Sequence, residues 1–277
     1  MVSDNTNIQP PISDLDIAQL RQNARLSITS EYEQMPEVIK IGEAVAGTLG
    51  NFSAAIGKAK SKKTFNCSAI VASALTNNSV LGYTSCFPID KRKILYVDTE
   101  QGVSHCQKVL NRIYRLAGLS LEQDSEYIEF LALRKYTPEV RIRVIDEAIR
   151  ETAGLGLVII DGIRDLVYDI NNSTEATNTI SLLMQWMDEF QIHIHVILHQ
   201  NKGDDNARGH IGTELINKAE TVLQIERDKD DNNVSRVEAL FIRDKDFQPF
   251  AFRINDEILP ELVEGYTFDK KVGRPQK

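Results

Sequence analysis

Gly57-Lys58-Ala59-Lys60-Ser61-Lys62-Lys63-Thr64 is the stretch that decides how this chain folds. A phosphate-binding loop reads G-x-x-x-x-G-K-[ST]. Here Gly57, Lys63 and Thr64 stand in register, while Lys62 occupies the place of the second glycine. Asn51 to Ile56 read as a short buried strand before the loop, and Thr64 to Leu75 (TFNCSAIVASAL) as a mostly apolar run of helical length after it. In such a strand-loop-helix, backbone N–H groups and the helix N-terminus face an anion. A lysine ammonium reaches the phosphate oxygens and a hydroxyl ligates magnesium. Lys63 and Thr64 are the residue types for those two tasks, and Gly57, Lys58, Ala59, Lys60, Ser61, Lys62 and Phe65 complete the candidate binding segment. Glycine permits left-handed backbone and close phosphate approach, so Lys60 and Lys62 predict a loop that is strained or slightly altered. Lys58, Lys60, Lys62 and Lys63 have no acid among them and repel one another unless an anion joins them.

Length and composition set the frame around this loop. A chain of 277 residues, 42% hydrophobic and 26% charged, suits one large α/β domain with short extensions. A net charge of −8 excludes the basic footprint of a typical nucleic-acid-binding domain, so any such contact is local. Candidate basic spots are Lys91-Arg92-Lys93, the loop around Lys202 and Arg208, and the tail from Lys270 to Lys277. No stretch has the length and apolarity of a membrane span, and the first residues lack a basic-then-apolar signal pattern, so the expectation is a cytoplasmic protein without a membrane partner. Cys67, Cys86 and Cys106 are odd in number and lack a C-x-x-C spacing, as free thiols would be in a reducing compartment. Cys67 lies on the apolar side of the loop's helix and is expected in the core.

Residues 1–36 read as an N-terminal arm, with a short helix from Asp14 to Ala24 capped by Ser13. Glu37 to Gly50 is an irregular lead-in. Strands and helices then alternate: Ile94–Val97, Val103–Ala117, Ile128–Leu133, Pro138–Thr152, Leu157–Ile160, Thr174–Phe190 and Ile192–Leu198. That order predicts an α/β fold with a mostly parallel central sheet flanked by helices. After Ala219, the runs Glu220–Glu226, Val234–Ile242 and Pro249–Ile254 have no helix between them and predict C-terminal antiparallel strands extending the sheet. The domain is expected over 37–260, followed by a basic tail over 261–277.

Three further motifs carry chemistry. Leu157-Val158-Ile159-Ile160-Asp161 is an apolar strand ending in a carboxylate, suited with Thr64 to holding magnesium. Ile94-Leu95-Tyr96-Val97-Asp98-Thr99-Glu100 puts acids at the carboxyl edge of the sheet, where open α/β folds bind ligands. Glu100 there can polarise an attacking water as general base. His199-Gln200 ends another strand, where an amide can sense a γ-phosphate. His193 and His195 share a strand face near His199, but no cysteine or acidic ligand follows at a metal-like spacing.

These motifs, in this order, resemble the RecA-like ATPase core, and most closely the RepA-like replicative helicases related to DnaB, over roughly residues 37–255. The resemblance implies ATP and Mg2+ as cofactors, Glu100 as catalytic base, Asp161 as the second-motif aspartate and His199-Gln200 as the motif before a nucleic-acid-facing loop. It further implies an arginine finger at Arg208 in Ala207-Arg208-Gly209-His210, and paired basic fingers at Arg243 and Lys245. Both act in trans, which implies a homo-oligomer, a hexameric ring, acting on single-stranded DNA with a primase or initiator partner. Lys58, five residues before Lys63, is also similar to the signature lysine of ParA/MinD-type partitioning ATPases. A scaffold that binds nucleotide or DNA without hydrolysis is the third reading. Gly273-Arg274-Pro275 in the tail resembles the core of an AT-hook.

Overall fold

The computed structural model describes residues 16–200 and 209–268. The chain divides into a unit up to Gln34 and a second from Met35 onward. In the first unit, helix α1 (Ile17–Asn23) is capped by Asp16, whose side chain accepts from the Gln19 N–H, and none of its residues is buried. The Ser13 cap expected from the sequence lies outside the described residues.

In the second unit the strands are β1 (Glu37–Ile41), β2 (Ala44–Thr48), β3 (Phe52–Gly57), β4 (Ser79–Val80), β5 (Tyr83–Ser85), β6 (Lys93–Asp98), β7 (Ile128–Ala132), β8 (Leu155–Asp161), β9 (His193–His199), β10 (Thr221–Arg227), β11 (Val234–Ile242), β12 (Phe250–Ile254) and β13 (Pro260–Leu262). The helices are α2 (Lys63–Thr76), α3 (Val103–Leu116), α4 (Pro138–Glu151), α5 (Ser173–Phe190) and α6 (Gly209–Lys218). A nine-stranded sheet runs in the order β13-β12-β11-β10-β3-β9-β8-β6-β7. Its members from β10 to β7 are parallel and the other three antiparallel.

Alternation along the parallel strands explains why both faces are covered. Val158 and Ile160 of β8 join one apolar cluster with Phe52, Ile194, Ile180, Leu183 and Trp186. Leu157 and Ile159 point the other way, into a second cluster with Ile70, Val109 and Ile113. Helices α4, α5 and α6 therefore cover one face, and α2 and α3 the other. A small antiparallel sheet, β2-β1-β5-β4, contributes Val38, Ile39 and Tyr83 to the second cluster. The lead-in expected as irregular over Glu37–Gly50 is thus two paired strands turning at Gly42, whose φ is +59°. Helix α6 and β13 were not legible in the sequence pattern. β13 also carries the sheet to Leu262, two residues into the stretch expected as a tail.

The strand order brings the carboxyl ends of β3, β9, β8 and β6 side by side, with Gly57 opposite His199 and Asp161 opposite Asp98. Ile160 is fully buried between these strands and α5, whereas Ile128 lies half-buried on the edge strand β7. Ile160→Ala should cost about 2–5 kcal/mol and Ile128→Ala about 1 kcal/mol, read from urea unfolding midpoints.

Candidate functional site

The loop after β3 leaves the sheet through two left-handed residues that are not glycine. Lys60 has φ +68°, and Lys62 has φ +66° and ψ +30°. This backbone costs a side-chain-bearing residue about 1–2 kcal/mol, so the strain expected from the sequence is real and occurs at both positions. Gly57 is required for another reason: a Cβ there would lie 2.3 Å from the Ile225 carbonyl oxygen of β10.

The lysines of the loop do not act as one cluster. Lys58 and Lys60 are exposed at its rim. Lys62 directs its ammonium away from the loop, 2.9 Å from the Asn232 carbonyl and 3.4 Å from Ser235 Oγ at the β10–β11 hairpin. Lys62 thus lines the cleft while its ammonium is bonded to the hairpin, and Lys60 stays exposed. Lys63 is only 5% exposed, and its ammonium donates to the carbonyls of Gly57 at 2.8 Å and Lys58 at 3.0 Å. Burial pulls its pKa down to about 8, against the opposing pull of Asp161 and Glu100.

Lys63 also lies 3.2 Å from His199 Nδ1, and His199 Nε2 lies 3.3 Å from Glu100 Oε2. An ammonium only donates, so Nδ1 accepts and Nε2 carries the proton toward Glu100. This bond, ahead of the charges of Lys63 and Arg164, lowers the Glu100 pKa and overcomes its desolvation. Glu100 is held from below by Gly162, where a Cβ would come within 2.7 Å of Glu100 Cγ and 2.4 Å of Thr99 Oγ1. Gly162 has φ +102°, so the Asp-Gly pair after an apolar strand was the readable signal for this support.

Asp161 sits on the floor of the cleft, 5% exposed, accepting from Thr64 Oγ1 at 3.1 Å and from Tyr96 OH at 2.9 Å. Burial, and next the Asp98 carboxylate, pushes its pKa up to about 7. Asp98 is fully buried and accepts from the N–H groups of Glu100 and Gln101 and from the Gln101 amide, so it shapes the turn that presents Glu100. Thr64 and Asp161 are hard oxygen donors in contact, a set that fits Mg2+.

Gln200 is buried and its N–H donates to the Gly57 carbonyl, which ties the end of β9 to the start of the loop. The cleft has a volume of about 430 Å³ and is closed on its far side by His105, Lys108 and Arg112 of α3. The Arg112 guanidinium lies 3.5 Å over the Phe65 ring. These three basic residues escaped the sequence reading, although their spacing along α3 puts them on one helix face.

The remaining candidates lie elsewhere. His193 Nε2 and His195 Nδ1 each lie 2.8 Å from Ser53 Oγ in the sheet interior, away from the cleft. Arg243 follows the end of β11 that pairs with Thr221, at the opposite edge of the sheet from the loop, and its guanidinium donates to the Lys218 carbonyl at 3.0 Å. Lys245 is exposed in the same region. Arg208, Lys202 and the Gly273-Arg274-Pro275 tail lie outside the described residues. Among the described residues, no helix is long and apolar enough to cross a membrane.

The fold and the cleft define a RecA-like P-loop ATPase architecture. One similar solved structure is described as the crystal structure of the RadB recombinase, with 16% identity and a TM-score of 0.55 over 78% of this chain and 92% of that one. Residues 35–205, more than half of the chain, match AAA_25, the AAA domain family, and the chain belongs to that family. No curated protein matches it by sequence.

Asp161 also makes stability depend on pH. Its folded pKa of about 7 exceeds the ordinary 3.8, so the folded chain holds a proton that the unfolded chain releases. The stability this group contributes is full below the ordinary value and is lost as pH rises through about 7. Asp161→Asn should therefore be more stable than the parent at pH 8 in chelator by about 2–4 kcal/mol. The gap should narrow toward pH 5 in urea melts.

Proposed function

We propose that this chain hydrolyses ATP with Mg2+ as a RepA-like, DnaB-related motor that assembles in a ring and moves on single-stranded DNA. The observation that carries the reading is the chain of contacts Lys63–His199–Glu100, beside the Thr64–Asp161 pair, in one cleft at the carboxyl edge of a parallel sheet. On binding a triphosphate, the Lys63 ammonium exchanges the Gly57 and Lys58 carbonyls for β- and γ-phosphate oxygens. Desolvation favours that exchange, because a buried cation gains from a full anionic partner.

Thr64 and Asp161 would hold the magnesium ion, which when bound neutralises charge developing on the phosphates. Glu100 stays ionised because His199 donates to it, and it orients the attacking water and takes its proton. His199 touches both Lys63 and Glu100, so movement of the lysine toward phosphate alters the bond that holds the base. Gln200, next on the same strand, stands at the start of the segment expected to face nucleic acid.

Trans-acting charges are part of the proposal. Arg243 and Lys245 sit at the far edge of the sheet from their own cleft, so any nucleotide they serve belongs to a neighbouring copy. The finger role of Arg208 rests on its place in Ala207-Arg208-Gly209-His210. The ring, the DNA and a primase or initiator partner rest on the resemblance to RepA-like enzymes.

Steady-state ATP hydrolysis with and without single-stranded DNA tests the proposal. Hydrolysis should require Mg2+ and rise with DNA. Lys63→Ala should abolish it, and Glu100→Gln should lower kcat about 10²–10⁴-fold while ATP still binds. A normal rate in Lys63→Ala would overturn the site. Hydrolysis indifferent to DNA would remove the translocase reading and leave the ATPase.

A further inference from the structure

We propose that Lys62 is a positioning residue that couples the phosphate loop to the β10–β11 hairpin, so that anion binding at the loop and the order of the hairpin depend on each other. The nucleotide half of this proposal rests on the ATPase reading above.

Three observations meet at Lys62. Its backbone is left-handed and it caps α2 without any side-chain capping bond, so a glycine would serve the local geometry as well. Its side chain instead crosses to a segment 170 residues away and donates to the Asn232 carbonyl at 2.9 Å, with Ser235 Oγ at 3.4 Å. The same Asn232 carbonyl accepts from Arg227 Nε at 2.8 Å, so two cations converge on one oxygen at the hairpin. Desolvation, and then the charge of Arg227, lower the Lys62 pKa against the pull of Asp231, so it is the two hydrogen bonds that hold the ammonium at the hairpin.

The hairpin is built to transmit this contact. Asp228 Oδ1 accepts from the N–H groups of Asp230 and Asp231, and Asp231 Oδ1 accepts from the N–H of Asn233. The Asn233 amide donates to the Ile254 carbonyl at 2.8 Å, which carries the link to β12. Ser235, beside the Lys62 ammonium, is fully buried in β11 and paired with Arg227. The loop also leans on β10 at Gly57, against the Ile225 carbonyl. A turn that closes around phosphate must therefore carry Lys62, and with it the hairpin, or else break the bond. Linkage makes the dependence mutual.

Hydrogen exchange followed by mass spectrometry on the full chain tests the coupling, read at the amides of 228–235. The forms compared are the parent, Lys62→Gly, Lys62→Arg and Lys60→Gly, each free and with Mg2+ and the non-hydrolysable analogue AMP-PNP. Without nucleotide, Lys62→Gly should speed hairpin exchange roughly fivefold or more, and Lys62→Arg should restore most of the protection. Lys60→Gly relieves the same backbone conformation without a hairpin bond and should leave hairpin exchange at the parent rate. Mg·AMP-PNP should change hairpin exchange in the parent and leave it unchanged in Lys62→Gly, with analogue binding checked by calorimetry. Equal hairpin exchange in the free parent and free Lys62→Gly would overturn the tether. A parent-like response to the analogue in Lys62→Gly would overturn the coupling. A parent that binds no analogue overturns the ATPase reading and the nucleotide half with it, whereas the comparison of free proteins still decides the tether.

Discussion

A loop that turns its N–H groups toward an anion needs left-handed backbone, and in this chain lysines supply it. Lys60 and Lys62 together hold about 2–4 kcal/mol of conformational strain. Strain of that size persists at a functional site only where the surroundings over-determine it. Here they do: β10 presses on Gly57, α2 starts immediately after Lys62, the Gln200 N–H holds the Gly57 carbonyl, and the hairpin holds the Lys62 ammonium. Removing any one support leaves a backbone that prefers to relax. The arrangement of β10 and β11 beside β3 thus braces the loop as well as extending the sheet.

Beneath the loop lies a second unfavourable arrangement. Asp98 and Asp161 pair on adjacent strands, both buried, and both have raised pKa values. Hydrogen bonds from Tyr96 and Thr64 offset the cost at Asp161, and those from Glu100, Gln101 and the Gln101 amide offset it at Asp98. At Asp98 three donors offset part of the cost of burial and shape the turn that presents Glu100. At Asp161 the compensation is incomplete, and a hard cation would finish it. Ground-state instability at such a position is the usual companion of a binding site, since a group satisfied by its own fold gains little from a ligand.

Much of this was legible in the sequence. The buried strands at Ile94–Val97 and Leu157–Ile160 and the run Thr64–Leu75 announced themselves by apolar length, and their order predicted a mostly parallel α/β sheet, to which the resemblance of the motifs added the RecA-like expectation. Lys63, Thr64, Glu100, Asp161, His199 and Gln200 were nameable because each ends a strand or begins a helix, and the carboxyl edge of a parallel sheet gathers such positions. The small sheet was missed because its strands are two to five residues long and one of them, AVAGT, shows no clean alternation. The destination of the Lys62 side chain was unreadable in principle, since it depends on a hairpin 170 residues downstream. The contact of His199 with both Lys63 and Glu100 depends likewise on β9 lying between β3 and β8.

The proposed site asks a loop with a lysine in place of its second glycine, bonded to the hairpin, to bind a triphosphate. Calorimetric titration of the full chain with ATP and with AMP, each in Mg2+ and in chelator, addresses it directly. ATP should bind, Mg2+ should tighten it through Thr64 and Asp161, and AMP, which lacks the β- and γ-phosphates, should bind far more weakly. Equal affinity for ATP and AMP, or no binding of ATP at all, would contradict it.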